Sequence, residues 1–233
     1  NAALVRSMER AANGSGSGDA WSLSMWVKGS TNGAGQTMFY FGGSDTANRG
    51  HIEVRQTNVS ATGQKRLRLH YGTNSNHLRL STAGGTITPG TWQHILITYD
   101  GGTTGTAQSS LSSYYSRFKI YIDGSLQTTS NNHQNYGYSG SVVGQNYRFG
   151  RYTSGQYPRD MVINQMAIWG SDQSANISTI YNGGSTQNLS LLSAAPLHYY
   201  EIETSTSTIS DIIGTAHLVG YNFSSTDLVS DAP

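Results

Sequence analysis

Two stretches limit the fold more than any others: "WSLSMWVK", from Trp21 to Lys28, and "TWQHILITYDG", from Thr91 to Gly101. Each alternates large apolar residues with others and is bounded by Gly, Asp, Ser or Pro. Successive side chains of a strand point to opposite faces, so this is the pattern of a half-buried β-strand. In the first stretch Trp21, Leu23, Met25 and Val27 share one face and Trp26 points to the other. "FKIYIDG", from Phe118, runs into an Asp-Gly pair, a strong hairpin signal. Met161 to Trp169 is a further apolar stretch, leading into a helix-like segment that ends at Tyr181-Asn182-Gly183-Gly184.

Shorter strands are expected at Ile52 to Val54, Arg66 to Tyr71 and His77 to Ser81. Gly101 to Ser113 and Asn131 to Gln145 are polar and aperiodic, and read as exposed loops. One helix is expected over Ser171 to Tyr181. Ser171 would cap it, Ile177, Ile180 and Tyr181 would face the sheet, and Gly183-Gly184 would end it. The expected core holds Trp21, Leu23, Met25, Leu96, Phe118, Ile120, Ile122, Ile163 and Trp169.

In this order and spacing, the four strong stretches resemble the laminin-G-like branch of the concanavalin A-like lectin/glucanase superfamily. The resemblance covers Trp21 to Gly184. It implies an all-β fold, an antiparallel two-sheet jelly-roll sandwich with one short helix. For function it implies less, because one fold hosts binders, enzymes and virion parts.

The tail after Ala195, "PLHYYEIETSTSTISDIIGTAHLVGYNF", resembles a segment that precedes the Trp-containing strand in many laminin-G-like domains. Here it follows the helix. The expectation is one domain over 1–233, with 196–233 completing the sandwich as a permuted segment. Leu197 to Ile202 should then pair within the sandwich that holds the Trp21 strand, since it is apolar on both faces. The alternative is the opening of a further repeat. The order of this tail, through to Ser230-Asp231-Ala232-Pro233, also looks like laminin-G-like modules in structural proteins of marine tailed phages. That implies a virion surface, with other virion proteins or copies of the same chain as partners. Extracellular and bacterial cell-surface adhesion remain the alternatives. Asn1 is not an initiator methionine and nothing before Trp21 resembles a signal peptide, as in a processed chain or a module of something longer.

Composition narrows the partners. A formal net charge of +1 argues against nucleic acid. Arg66, Arg68 and Arg79 come nearest to a basic patch, and with leucines interleaved they read as the solvent face of strands. No segment approaches the run of about 18 apolar residues that spans a bilayer. Cysteine is absent, which removes disulfides and thiolate metal sites.

Three kinds of chemistry compete. Glu201 and Glu203 lie on one face of a strand, as a glycosidase carboxylate pair would. The superfamily's glucanases carry a third acid on such a strand, where this chain has Ser205, so a glycoside hydrolase is the minor alternative and no catalytic residue is assigned. No cofactor is expected. Calcium stays open through the superfamily: Asp100, Asp123, Asp160 and Asp211 all sit at apparent strand ends, Asp123 is explained as a turn residue and Asp100 nearly so, and Asp211 is the least explained of the four. Glycan binding draws on aromatic faces beside Arg and Asn. Tyr136, Tyr138, Tyr147, Tyr152 and Tyr157, with Arg151, Arg159 and Asn135, fall in one loop-bounded region. They are the candidate ligand-binding residues.

Overall fold

The computed structural model describes residues 20–31, 35–42, 51–60, 62–72, 77–101, 115–134, 146–150, 161–202, 208–220 and 233. Two six-stranded antiparallel sheets account for about half of them. The first contains β1 (Trp21–Lys28), β6 (Trp92–Tyr99), β7 (Phe118–Ile122), β8 (Ser125–Leu126), β11 (Val162–Trp169) and β12 (His198–Tyr200), in the order β12-β11-β1-β6-β7-β8. The second contains β2 (Gln36–Gly42), β3 (His51–Asn58), β4 (Lys65–Gly72), β5 (His77–Thr82), β9 (Thr129–Gln134) and β10 (Asn146–Phe149), in the order β10-β2-β3-β4-β5-β9. This is the all-β sandwich expected from the sequence.

Alternation decides what lies between the sheets. Trp21, Leu23, Met25, Val27, Ile95, Ile97, Phe118 and Ile120 of the first sheet meet Phe39, Phe41, Ile52, Val54, Leu67, Leu69, Leu78 and Leu80 of the second. Burying each such side chain is worth about 1.5–3 kcal/mol, so this layer carries most of the stabilisation. Ile163 differs from expectation: it packs against the edge of the core and is only partly buried. A second cluster lies on the outer side of the first sheet. There Leu96, Tyr121, Ala167, Trp169 and Tyr199 pack with Ile180 and Leu189. The Asp123-Gly124 hairpin forms as expected, with φ of 49° and 75°. The Asp123 carboxylate accepts from His94 N at 2.8 Å and Gln93 Nε2 at 3.1 Å, so the turn accounts for it.

Several elements depart from the sequence reading. β2 was not expected, and every one of its residues is buried. Asn131 to Gln134, read as the start of a loop, belong to edge strand β9. The helix is shorter than expected: a 3₁₀ turn at Ser174–Asn176 precedes α1 (Ile177–Tyr181). Ser171 does not cap it, because its carbonyl accepts from Ser22 Oγ and its hydroxyl from Gln173 Nε2. Asp172 Oδ1 takes the Ser174 N–H instead, at 2.8 Å.

The tail pairs as anticipated, though with a different neighbour. His198, Tyr199 and Tyr200 pair with Ile168, Ala167 and Met166 of β11, and it is β11 that lies beside the Trp21 strand. A β-bulge assists. Gln165 sits at φ 44°, which breaks the register with β1, and Asn164 Oδ1 accepts from both Gln165 N and Ile202 N. Beyond it, a small hairpin of β13 (Thr208–Ile209) and β14 (Leu218–Val219) follows, and Ile209 and Leu218 pack on the main core.

Candidate binding face

The sheet register assembles the outer face of the second sheet from residues far apart in sequence. Leu67, Leu69 and Tyr71 of β4 point into the core, so Arg66, Arg68 and His70 take the opposite side. The same parity puts Glu53 and Arg55 of β3, His77 and Arg79 of β5, and Tyr40 of β2 on that side. One row across the sheet runs Arg148, Tyr40, Glu53, His70, Arg79 and Asn132. The next runs Thr37, Arg55, Arg68, Ser81 and Ser130.

The floor of this face is polar and buried. Tyr40, Glu53, His70 and His77 are all buried, while Arg55, Arg66, Arg68, Arg79 and Arg148 are half-buried around them. Glu53 Oε1 accepts from Thr37 Oγ1 at 2.7 Å, and Oε2 lies 3.5 Å from Arg55 Nη1. Arg79 Nε donates to His70 Nδ1 at 3.1 Å, and the His70 ring lies 4.8 Å from that of His77. Arg148 stands 5.9 Å above the Tyr40 ring, a cation–π arrangement. Arg66 and Arg68 direct Nε at the hydroxyls of Thr57 and Ser81, both at 3.4 Å. Burial lowers the Arg68 pKa, and the neighbouring charges of Arg66, Arg79 and Arg55 lower it further.

One end of the face is bounded by glycine. Gln134, His77, Gly72, His51, Gly42 and Asn146 form a single register row. Gly42 and Gly72 both have φ of 131°, a region that side-chain-bearing residues avoid. β2, β4 and β9 all end on this row, and β3, β5 and β10 begin on it. Three connections, 43–50, 73–76 and 135–145, therefore have their ends here.

Most of the candidate residues drawn from the sequence are not among the described residues. Tyr136, Tyr138, Arg151, Tyr152, Tyr157 and Arg159, with Asn135, lie outside the described residues, as does the Tyr147 side chain. The Tyr147 backbone pairs with Phe41. The chain enters β10 at the Gly42 end and leaves it at the other, so 135–145 and 151–160 flank opposite ends of that strand. Arg66, Arg68 and Arg79 do line the outside of a sheet. The sequence reading missed Arg55, Arg148, Glu53 and Tyr40 beside them, because only cross-strand register brings these together.

Acid and metal chemistry fare differently. Glu201 Oε1 accepts the Tyr199 hydroxyl, which points to the outer side of the first sheet, away from the arginine face. Glu203 lies outside the described residues. Asp211 is buried and surrounded by N–H groups. Oδ1 accepts from Tyr199, Ile213 and Gly214, and Oδ2 from Ala216 and the His198 ring. Burial alone would raise its pKa, but the bonds from His198, Gly214, Tyr199 and Ala216 hold it below the usual carboxylate value. Calcium does not fit here, since a cation needs converging oxygens and these groups present positive dipole ends. Among the described residues no group of three or more His, Cys, Asp or Glu gathers as a metal site would, and no helix is long and apolar enough to cross a membrane.

A laminin-G family model, described as the concanavalin A-like lectin/glucanases superfamily, matches residues 9–176. The chain belongs to this superfamily. The chain is also similar to several solved structures. One is the CBM40 of the Ruminococcus gnavus IT-sialidase bound to α2,3-sialyllactose, at 13% identity and TM-score 0.45, covering 69% of this chain and 82% of that one. Another is the binding domain of botulinum neurotoxin serotype D, at 15% identity and TM-score 0.41, covering 73% of this chain and 37% of that one. The Trypanosoma rangeli sialidase matches at 12% identity and TM-score 0.45, over 70% of this chain and 22% of its own. No curated protein matches the sequence.

Proposed function

We propose that this lectin-superfamily module is a non-catalytic glycan binder that reads its ligand on the outer face of the second sheet. The observation that carries the reading is the buried polar row of Tyr40, Glu53 and His70, with half-buried arginines around it, Arg79 at its end. A glycan site needs donors and acceptors held in fixed positions to read hydroxyls, and an aromatic or apolar surface for the sugar's C–H faces. Side chains fixed on paired strands meet the first need without ordering cost. Tyr136 and Tyr138 join the site in this reading, because their connection has both ends on the Gly42–Gly72 row. Arg151, Tyr152, Tyr157 and Arg159 would extend it beyond β10, while Tyr147 holds the strand position in register with core-facing Phe41. The non-catalytic part rests on Glu201 being engaged by Tyr199 on the other sheet.

The carrier in this reading is a virion surface protein of capsid-decoration or tail-fibre type, supported by the phage-like order of the tail. Its partners would be other virion proteins or copies of this chain, and the ligand a host-surface glycan. Residues 196–233 would be the last segment of one permuted domain, a reading supported by the β11–β12 pairing.

A glycan array probed with the full chain, and with its Arg55→Gln and Arg79→Gln variants, tests the site. The expected result is binding by the parent chain and at least tenfold weaker binding by both folded variants. Silence across the array, or a signal that neither substitution changes, would overturn the proposal.

A further inference from the structure

We infer that the ligand of this face is anionic: a glycan bearing carboxylate or sulfate groups, held by Arg55, Arg66, Arg68 and Arg79 with Arg148 at the edge. The inference rests on the proposed binding face and adds the ligand's charge. Five arginines and one carboxylate occupy the face, in a chain whose net charge is only +1. Positive charge is therefore concentrated here and outweighed by acid elsewhere. Arg55–Glu53 is the ion pair that the described residues give this face, and the same carboxylate also accepts from Thr37.

Half-buried like charges repel: burial lowers the Arg68 pKa, and the nearby charges of Arg66, Arg79 and Arg55 add to that lowering. An anion laid across the strands would relieve it. Arg55 and Arg68 are directly paired across β3 and β4, and Arg66 lies two residues along β4 from Arg68. Their anchors fall on a grid of about 4.8 Å by about 6.6 Å, which suits a ligand with repeated anionic groups. Among the described residues, the side chains on this face that carry a fixed positive charge are all arginine. Its planar fork matches carboxylate and sulfate oxygens in pairs, as a lysine point charge does not.

The test compares sulfated, carboxylated and neutral forms of one oligosaccharide backbone by calorimetry, with a short DNA duplex as a further arm. Expected are affinities at least tenfold higher for one or both anionic sugars than for the neutral form, weakening as salt rises. Arg66→Gln and Arg68→Gln should each lower affinity several-fold. Arg68→Gln should also leave the free protein as stable as the parent or more so, since it removes repulsion. A role in packing alone would instead reduce stability. Equal binding of the neutral sugar would overturn the inference while leaving the glycan-binding reading intact. Equal binding of the duplex would overturn it by showing that any polyanion suffices. No binding of any sugar would defeat both.

Discussion

His94 should make this protein measurably acid-sensitive. It sits on β6 at the centre of the first sheet, only 1% exposed. Its ring packs against Trp26 and Tyr181, with centroids 5.3 and 5.8 Å away. Nε2 lies 2.8 Å from Ser24 Oγ, and Nδ1 has no partner among the described residues. Burial pushes its pKa down from 6.5 to about 4. A depressed histidine keeps its stabilising contribution above the unfolded value and loses it as pH falls through the folded one, because the unfolded chain binds the proton first. At about 1.4 kcal/mol per pKa unit, the loss reaches about 2–3 kcal/mol by about pH 4.5. Urea unfolding between about pH 7.5 and pH 4.5, on the parent and on His94→Gln, isolates the term. Glutamine can still bond Ser24 but does not titrate, and other acid-labile groups cancel between the two proteins. The parent should lose about 2–3 kcal/mol more than the variant over this range. Parallel pH dependences would refute the reasoning.

The tail offers two further tests. Tyr199 and Tyr200 are fully buried on opposite sides of β12, so Tyr200→Ala should cost about 3–5 kcal/mol by thermal or chemical unfolding, and truncation after Ala195 more. An unchanged melting temperature for the truncated chain would mean that the tail does not belong to the sandwich. Asp211→Asn keeps the side chain's shape but puts an NH2 group among backbone N–H donors. It should destabilise the protein by about 1–3 kcal/mol at neutral pH, and a null result by the same assay would refute the capping role.

Strands exposed to the core on one face and to a different environment on the other were legible from sequence. β1, β6, β7 and β11 all show that alternation. β2 escaped because its large apolar residues, Met38 to Phe41, run consecutively and leave no period to detect. β9 escaped for the opposite reason: "TSNNHQ" carries no apolar residue, and only its hydrogen bonds to β5 make it a strand. The helix was located correctly but given too early a start, since Ser171 spends its polar groups on Ser22 and Gln173. The binding face was visible only in part. Arg66, Arg68 and Arg79 stand out beside their leucines, but Arg55, Glu53, Tyr40 and Arg148 join them through register across five strands, which a linear pattern does not contain.

The central claim is that ligand recognition takes place on the arginine-lined side of the second sheet. Backbone amide shifts, followed by NMR as a glycan identified on the array is titrated in, test it most directly. The account predicts that the perturbed amides cluster at Tyr40, Glu53, Arg55, His70 and Arg79, with little change around Leu96, Tyr121 and Leu189 on the outer side of the first sheet. Saturable shifts confined to that opposite side, with β2 to β5 silent, would contradict it.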